Sequence, residues 1–151
     1  MRRFLTIAAL ACALPVLSAA SEFDWMVRQF ARESGAQQVH IPFFGLARFV
    51  VAVGHPAGAS RLNLAVFEHP AMDAASFCQL ADSTAGLSWK PIVRVRSKNG
   101  DATNIYAQPD GKHLRVLIAT LDHDDAVFVE VRIQPEELIK FVDEQKHNHH
   151  T

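Results

Sequence analysis

Cysteine is almost missing from this chain: there are two in 151 residues, Cys12 and Cys78. Cys12 falls in an apolar N-terminal stretch, so a chain processed after residue 20 keeps Cys78 alone. One cysteine cannot close an intramolecular disulfide, and stability must come from an apolar core. An excess of charge of one sign is missing too. Fifteen Lys and Arg face 16 Asp and Glu, for a net charge of −1, so composition does not point to nucleic acid or to an anionic membrane. There is no low-complexity tract and no internal repeat. The chain has no Gly-x-Ser-x-Gly elbow, no His-Glu-x-x-His and no Cys pair. Gly54-His55-Pro56-Ala57-Gly58 lacks the Lys-Ser/Thr that a phosphate loop requires. No cofactor is implied, and the balance leans away from an enzyme.

The N-terminus has the three parts of a secretory signal. Arg2 and Arg3 supply the positive charge, Phe4 to Leu17 the uncharged apolar run, and Ser18-Ala19-Ala20 the small residues before a cleavage at Ser21. The run falls short of the roughly 20 apolar residues that span a bilayer. A lipid anchor on Cys12 would leave a very short apolar run before it. The expected organisation is therefore a signal peptide over 1–20, a single domain over 21–145 and a flexible His-containing tail over 146–151. The mature protein is expected in the periplasm or the medium, with no stable membrane span.

Phe23, Met26, Val27, Phe30 and Ala31 recur at helical spacing, with Glu22, Arg28, Gln29, Arg32 and Glu33 opposite. The spacing predicts a helix over 22–33, opened by the capping-box pattern Ser21-Glu22-Phe23-Asp24 and closed by Gly35. A short strand is expected over 37–41. Residues 43–53 read as a buried helix, with Leu46, Phe49, Val50 and Val53 on one face, Pro42 before it and Gly54 after. A strand over 61–68 and a helix over 71–85 follow. A helix between two strands suggests a parallel, right-handed unit. Ala74, Ala75 and Cys78 mark the buried side of the 71–85 helix, which makes Cys78 a small core residue.

From Trp89 the pattern becomes a meander with strands over 89–97, 102–107, 113–121 and 126–133. The turns are Asn99-Gly100, Asp110-Gly111 and Asp122-His123-Asp124-Asp125. Gln134-Pro135-Glu136-Glu137 opens a last helix with Leu138, Phe141 and Val142 as its stripe. The expected fold class is thus α+β: two layers, a mixed sheet with a C-terminal four-strand antiparallel meander, and helices on one face.

Side-chain alternation fixes the register of the meander. Ile105, Val116, Ile118, Val129 and Val131 share one face. A two-residue loop at Asn99-Gly100 would put Arg94 and Arg96 among them. A three-residue loop, Lys98-Asn99-Gly100, puts Val93 and Val95 there instead, and a slip of one residue reverses every side chain. Burying two arginines unpaired costs several kcal/mol in rough terms, so the bulged turn is expected. Arg94, Arg96, Arg115 and Arg132 then fall on the second face with Tyr106, Phe128 and Glu130. The default reading is a solvated face, since charges on an open antiparallel face are ordinary. The functional reading is a cationic binding surface, Arg94, Arg96, Arg115, Arg132 and Tyr106, for an acidic partner or carboxylate.

Of the eight histidines, His147, His149 and His150 cluster in the tail. Neighbouring imidazoles can hold zinc, copper or nickel. With no surrounding groups to orient them, a solvated tail is the default.

The pattern over 22–145 resembles a family of small bacterial exported proteins and lipoproteins known only as a domain of unknown function. The resemblance lies in the Phe-rich first helix, Leu62-Asn63-Leu64-Ala65-Val66-Phe67-Glu68, Val93-Arg94-Val95, Ile105-Tyr106, Leu114-Arg115-Val116-Leu117-Ile118 and Val127-Phe128-Val129-Glu130-Val131. It implies fold and compartment and carries no catalytic residue. The chain departs from it in lacking a lipid-accepting cysteine. The leading functional expectation is a non-catalytic binding or accessory module of the cell envelope, with an envelope protein or acidic ligand as partner. The alternative is a small periplasmic hydrolase or metal-handling protein using His123, Asp122 and Asp124.

Overall fold

The computed structural model describes residues 20–40 and 58–148. Residues 1–19 of the expected signal (1–20), the 43–53 helix, His149 and His150 lie outside the described residues, as does the side chain of His147.

The architecture is α+β. Helix α1 spans Ala20–Ser34 and buries Phe23, Met26, Val27 and Phe30, the stripe that its 3.6-residue spacing defines. It already includes Ala20, so Ser21 lies inside the helix and is not its cap. Gly35, at φ +63°, ends it with an N–H to Ala31 O of 3.1 Å. Strand β1 (Gln37–Gln38) and strand β2 (Arg61–Glu68) follow. Helix α2, Ala74–Ala85, starts where Asp73 accepts from Ser76 N at 2.9 Å and stops at Gly86. Strands β3 (Lys90–Arg96), β4 (Ala102–Asp110), β5 (His113–Leu121) and β6 (Asp125–Ile133) form the meander. Helix α3, Pro135–Asn148, carries acids in its first turn and runs through the first residues of the expected tail.

The six strands lie in the order β1-β2-β6-β5-β4-β3, and every described pairing is antiparallel. This corrects the expected mixed sheet. The turn at Gly35 delivers β1 to the Glu68 end of β2, where Gln37 pairs with Glu68, so β1 can only run back along its neighbour. The pairing of β2 with β6 joins strands far apart in sequence.

The bulged turn is present. Ser97 N donates to Asp101 O at 2.9 Å around Lys98-Asn99-Gly100, Gly100 has φ +95°, and Val93 stands opposite Ile105. The next turn is Gly111-Lys112, one residue beyond the expected dipeptide, because Asp110 pairs with His113. Face parity is unaffected by that shift.

The larger difference concerns which face the helices cover. Helices α1 and α2 pack on the face of Ala65, Phe67, Ala102, Tyr106, Leu117, Ala119, Ala126 and Phe128, all buried. This is the face expected to be solvated. Its alanines let helices approach the sheet closely, and its aromatics meet Phe30 and Phe77 from the helices. Phe30 lies 4.8 Å from Phe67 and 5.0 Å from Phe128, ring centre to ring centre, both edge-on. Val116, Ile118, Val129 and Val131 share the other face and are only partly buried.

Candidate functional site

Two periodicities meet where α2 crosses the meander. Cys78 and Asp82 are four apart on α2 and share one face of the helix. Arg94 and Arg96 on β3, and Asn104 and Tyr106 on β4, are two apart and share the helix-facing side of the sheet. Arg94 stands directly opposite Asn104. A cavity of about 330 Å³ opens between the two elements, lined by Cys78, Asp82, Arg94, Val95, Arg96 and Asn104.

Asp82 organises the mouth of this cleft. Its Oδ1 accepts from Tyr106 Oη at 2.6 Å and from Arg94 Nη2 at 2.8 Å. Tyr106 is buried, and burial followed by the hydrogen bond to the Asp82 carboxylate pushes its phenol well above the ordinary tyrosine range. At the floor, Asn104 is 1% exposed. Its Nδ2 donates to Cys78 Sγ at 3.4 Å, and the thiol points back to Oδ1 at 3.8 Å. Cys78 is thus a partly buried residue at the margin of the core. Arg96 is exposed and has no ion-pair partner among the described residues. Two guanidinium groups against one carboxylate leave the cleft with a positive balance, suited to an acidic group.

The other two predicted arginines are elsewhere. Arg115 is buried under α1, its side chain 7% exposed. Its Nε and Nη2 donate to Glu130 Oε1 at 3.1 and 2.9 Å, and Nη1 donates to Gln108 Oε1 at 2.7 Å. Glu22 lies 3.5 Å from Nη1, and the guanidinium stacks over Trp89 at 4.7 Å. Trp89 Nε1 in turn donates to Glu22 at 3.2 Å. Arg132 donates to Asp110 Oδ2 at 2.7 Å, and that bond holds the Asp110 carboxyl below its ordinary range. The four arginines therefore do not form one surface: Arg94, Arg96 and Tyr106 meet at the cleft, whereas Arg115 and Arg132 are engaged in separate ion pairs.

Sequence reasoning missed Asp82, Asn104, Glu22 and Trp89. The four-residue spacing of Cys78 and Asp82 was a signal for a shared helix face. Nothing local said that this face would meet Arg94.

The groups of the hydrolytic reading are used in a turn. Asp122 Oδ1 accepts from the backbone N–H of Asp124 and Asp125 at 2.8 Å each, and these bonds lower its carboxyl. His123 Nδ1 lies 3.2 Å from Asp101 Oδ1 on the exposed surface. Among the described residues no group of three or more His, Cys, Asp or Glu side chains could hold a metal ion. No described helix is long and apolar enough to cross a membrane.

No family model matches the chain, no curated protein matches it, and no solved structure matches it.

Proposed function

We propose that this chain is an exported, non-catalytic binding or accessory module of the cell envelope that takes an acidic partner at the cleft between α2 and β3. Export is supported by the charged, apolar and small-residue parts of residues 1–20. The binding role is carried by one observation: Arg94 and Arg96 project from one side of an exposed strand beside an open cavity, and Asp82 offsets only one of them. Guanidinium forks fit carboxylates in two-point contacts, which makes a carboxylate-bearing partner the matching chemistry.

The reading is tested by titrating the mature domain with tetraglutamate and following its backbone amide resonances. Shifts centred on Cys78, Asp82, Arg94 and Arg96 are expected. The Arg94→Ser/Arg96→Ser variant should bind at least about tenfold more weakly, a loss of about 1.4 kcal/mol. Absence of any shift in the unaltered domain would overturn the reading. Crosslinking in the native envelope gives the second arm, in which the same double substitution should abolish recovery of the partner.

A further inference from the structure

β3 is an edge strand, and all seven of its residues are exposed. Among the described residues no strand pairs with its outer side. Antiparallel ladders alternate between residues that bond their neighbour and residues that bond outward. The Ser97–Asp101 bond sets the phase. Val95 opposite Thr103 and Val93 opposite Ile105 bond inward to β4. Arg94 and Arg96 therefore turn their backbone N–H and C=O outward, to the open edge. Their side chains point to the cleft side, while those of Val93 and Val95 point to the other face. Toward the start of the strand, Pro91 has no N–H and the register slips between Pro91 and Val93, so regular outward bonding begins at Arg94.

Resting on the reading of the cleft as an acid-binding site, we propose that its partner is an extended peptide segment that adds antiparallel to the outer edge of β3 and alternates acidic with β-branched residues. Residues of that segment opposite Arg94 and Arg96 exchange main-chain hydrogen bonds with them and place their side chains on the same side, so these are the acidic positions. The residue opposite Val95 falls on the aliphatic side beside Val93 and Val95, both exposed. Opposite charges facing across a strand pair stabilise it, and like charges destabilise it. Main-chain bonds give the affinity and the alternate side chains the choice of sequence. Because Arg94 already shares Asp82 and Arg96 does not, Arg96 dominates the recognition.

The competing account is that Pro91, the bulge and the basic side chains only blunt the edge against unwanted pairing. A short blocked peptide of alternating glutamate and valine separates the two. It is compared by calorimetry with an isomer that groups its glutamates and valines in blocks, and with versions N-methylated at the glutamates or at the valines. Strand addition predicts at least about tenfold tighter binding of the alternating peptide than of the block isomer. It also predicts loss of binding on methylation at the glutamates but not at the valines, and slowed amide exchange at Arg94 and Arg96 with Val93 and Val95 unchanged. Equal binding of the block isomer or of the glutamate-methylated peptide overturns strand addition while leaving the acid-binding cleft standing. Failure of every acidic peptide, tetraglutamate included, overturns both.

Discussion

Glu130 sits in the middle of β6 at 1% exposure, and only the company of Arg115 makes that tolerable. The guanidinium supplies two bonds to one carboxylate oxygen and then engages Gln108, Glu22 and the face of Trp89. Removing Glu130 takes from the buried guanidinium its one buried carboxylate partner, so Glu130→Ala should cost about 3–5 kcal/mol in urea unfolding. Replacing both charges, Arg115→Met with Glu130→Leu, should restore most of that loss, because neither buried charge then remains to be desolvated and Glu22 is half-exposed. A second prediction concerns the sole tyrosine of the chain, Tyr106. Its folded-state phenol titrates above its unfolded one because of burial and Asp82. Its contribution is therefore intact below about pH 10, the unfolded value, and is lost as pH rises beyond it. Tyrosinate absorbance should appear together with unfolding and not before it, and Tyr106→Phe should flatten the alkaline fall in stability. Local sequence could not sort these residues. Arg94 and Arg115 both stand at alternate positions of aliphatic strands, and only the helix that covers one of them makes the difference.

Turn chemistry was legible because it is local. Lys98-Asn99-Gly100 required a left-handed glycine, and Gly100 has φ +95° with nothing within 4 Å of an added Cβ. Gly100→Ala should therefore cost about 1–2 kcal/mol from backbone strain alone. If unfolding in urea shows no loss, the turn has changed type, and with it the side of β3 on which Arg94 and Arg96 stand. Gly58 differs. At φ +74°, a Cβ there would also meet Glu137 Cβ at 2.8 Å and Gln134 Cβ at 3.0 Å, where the segment leading into β2 packs on the start of α3. Gly58→Ala should be the more damaging of the two, in the same unfolding measurement. Face selection was not local. The β-branched side of the meander had the stronger apolar pattern, yet α1 and α2 packed on the side of Ala65, Ala119 and Ala126, where small residues admit a helix and Phe67 and Phe128 interlock with Phe30 and Phe77. The Arg115–Glu130 pair hid that side's apolar character from a residue-by-residue reading.

At the scale of the molecule, the sheet is a local meander extended by two earlier strands, β2 and then β1. β3 through β6 are joined by short turns, whereas β2 must reach β6 across α2 and the whole meander. Contacts between sequence neighbours close small loops, and contacts between distant segments close large ones at a greater entropic cost. The meander should therefore be largely formed at the folding transition state, with β2 and α1 docking afterwards. Ile118→Val in β5 and Val66→Ala in β2 probe the two regions without adding a new group. The first should slow refolding in proportion to its effect on stability. The second should leave the refolding rate nearly unchanged and speed unfolding instead. Stopped-flow traces across a range of urea distinguish these outcomes, and a slowed refolding limb for Val66→Ala would place β2 in the nucleus. The same order bears on β3. As the free end of a structure that forms early, it presents Arg94 and Arg96 on a scaffold already held by β4, which spares an incoming strand the cost of ordering its partner.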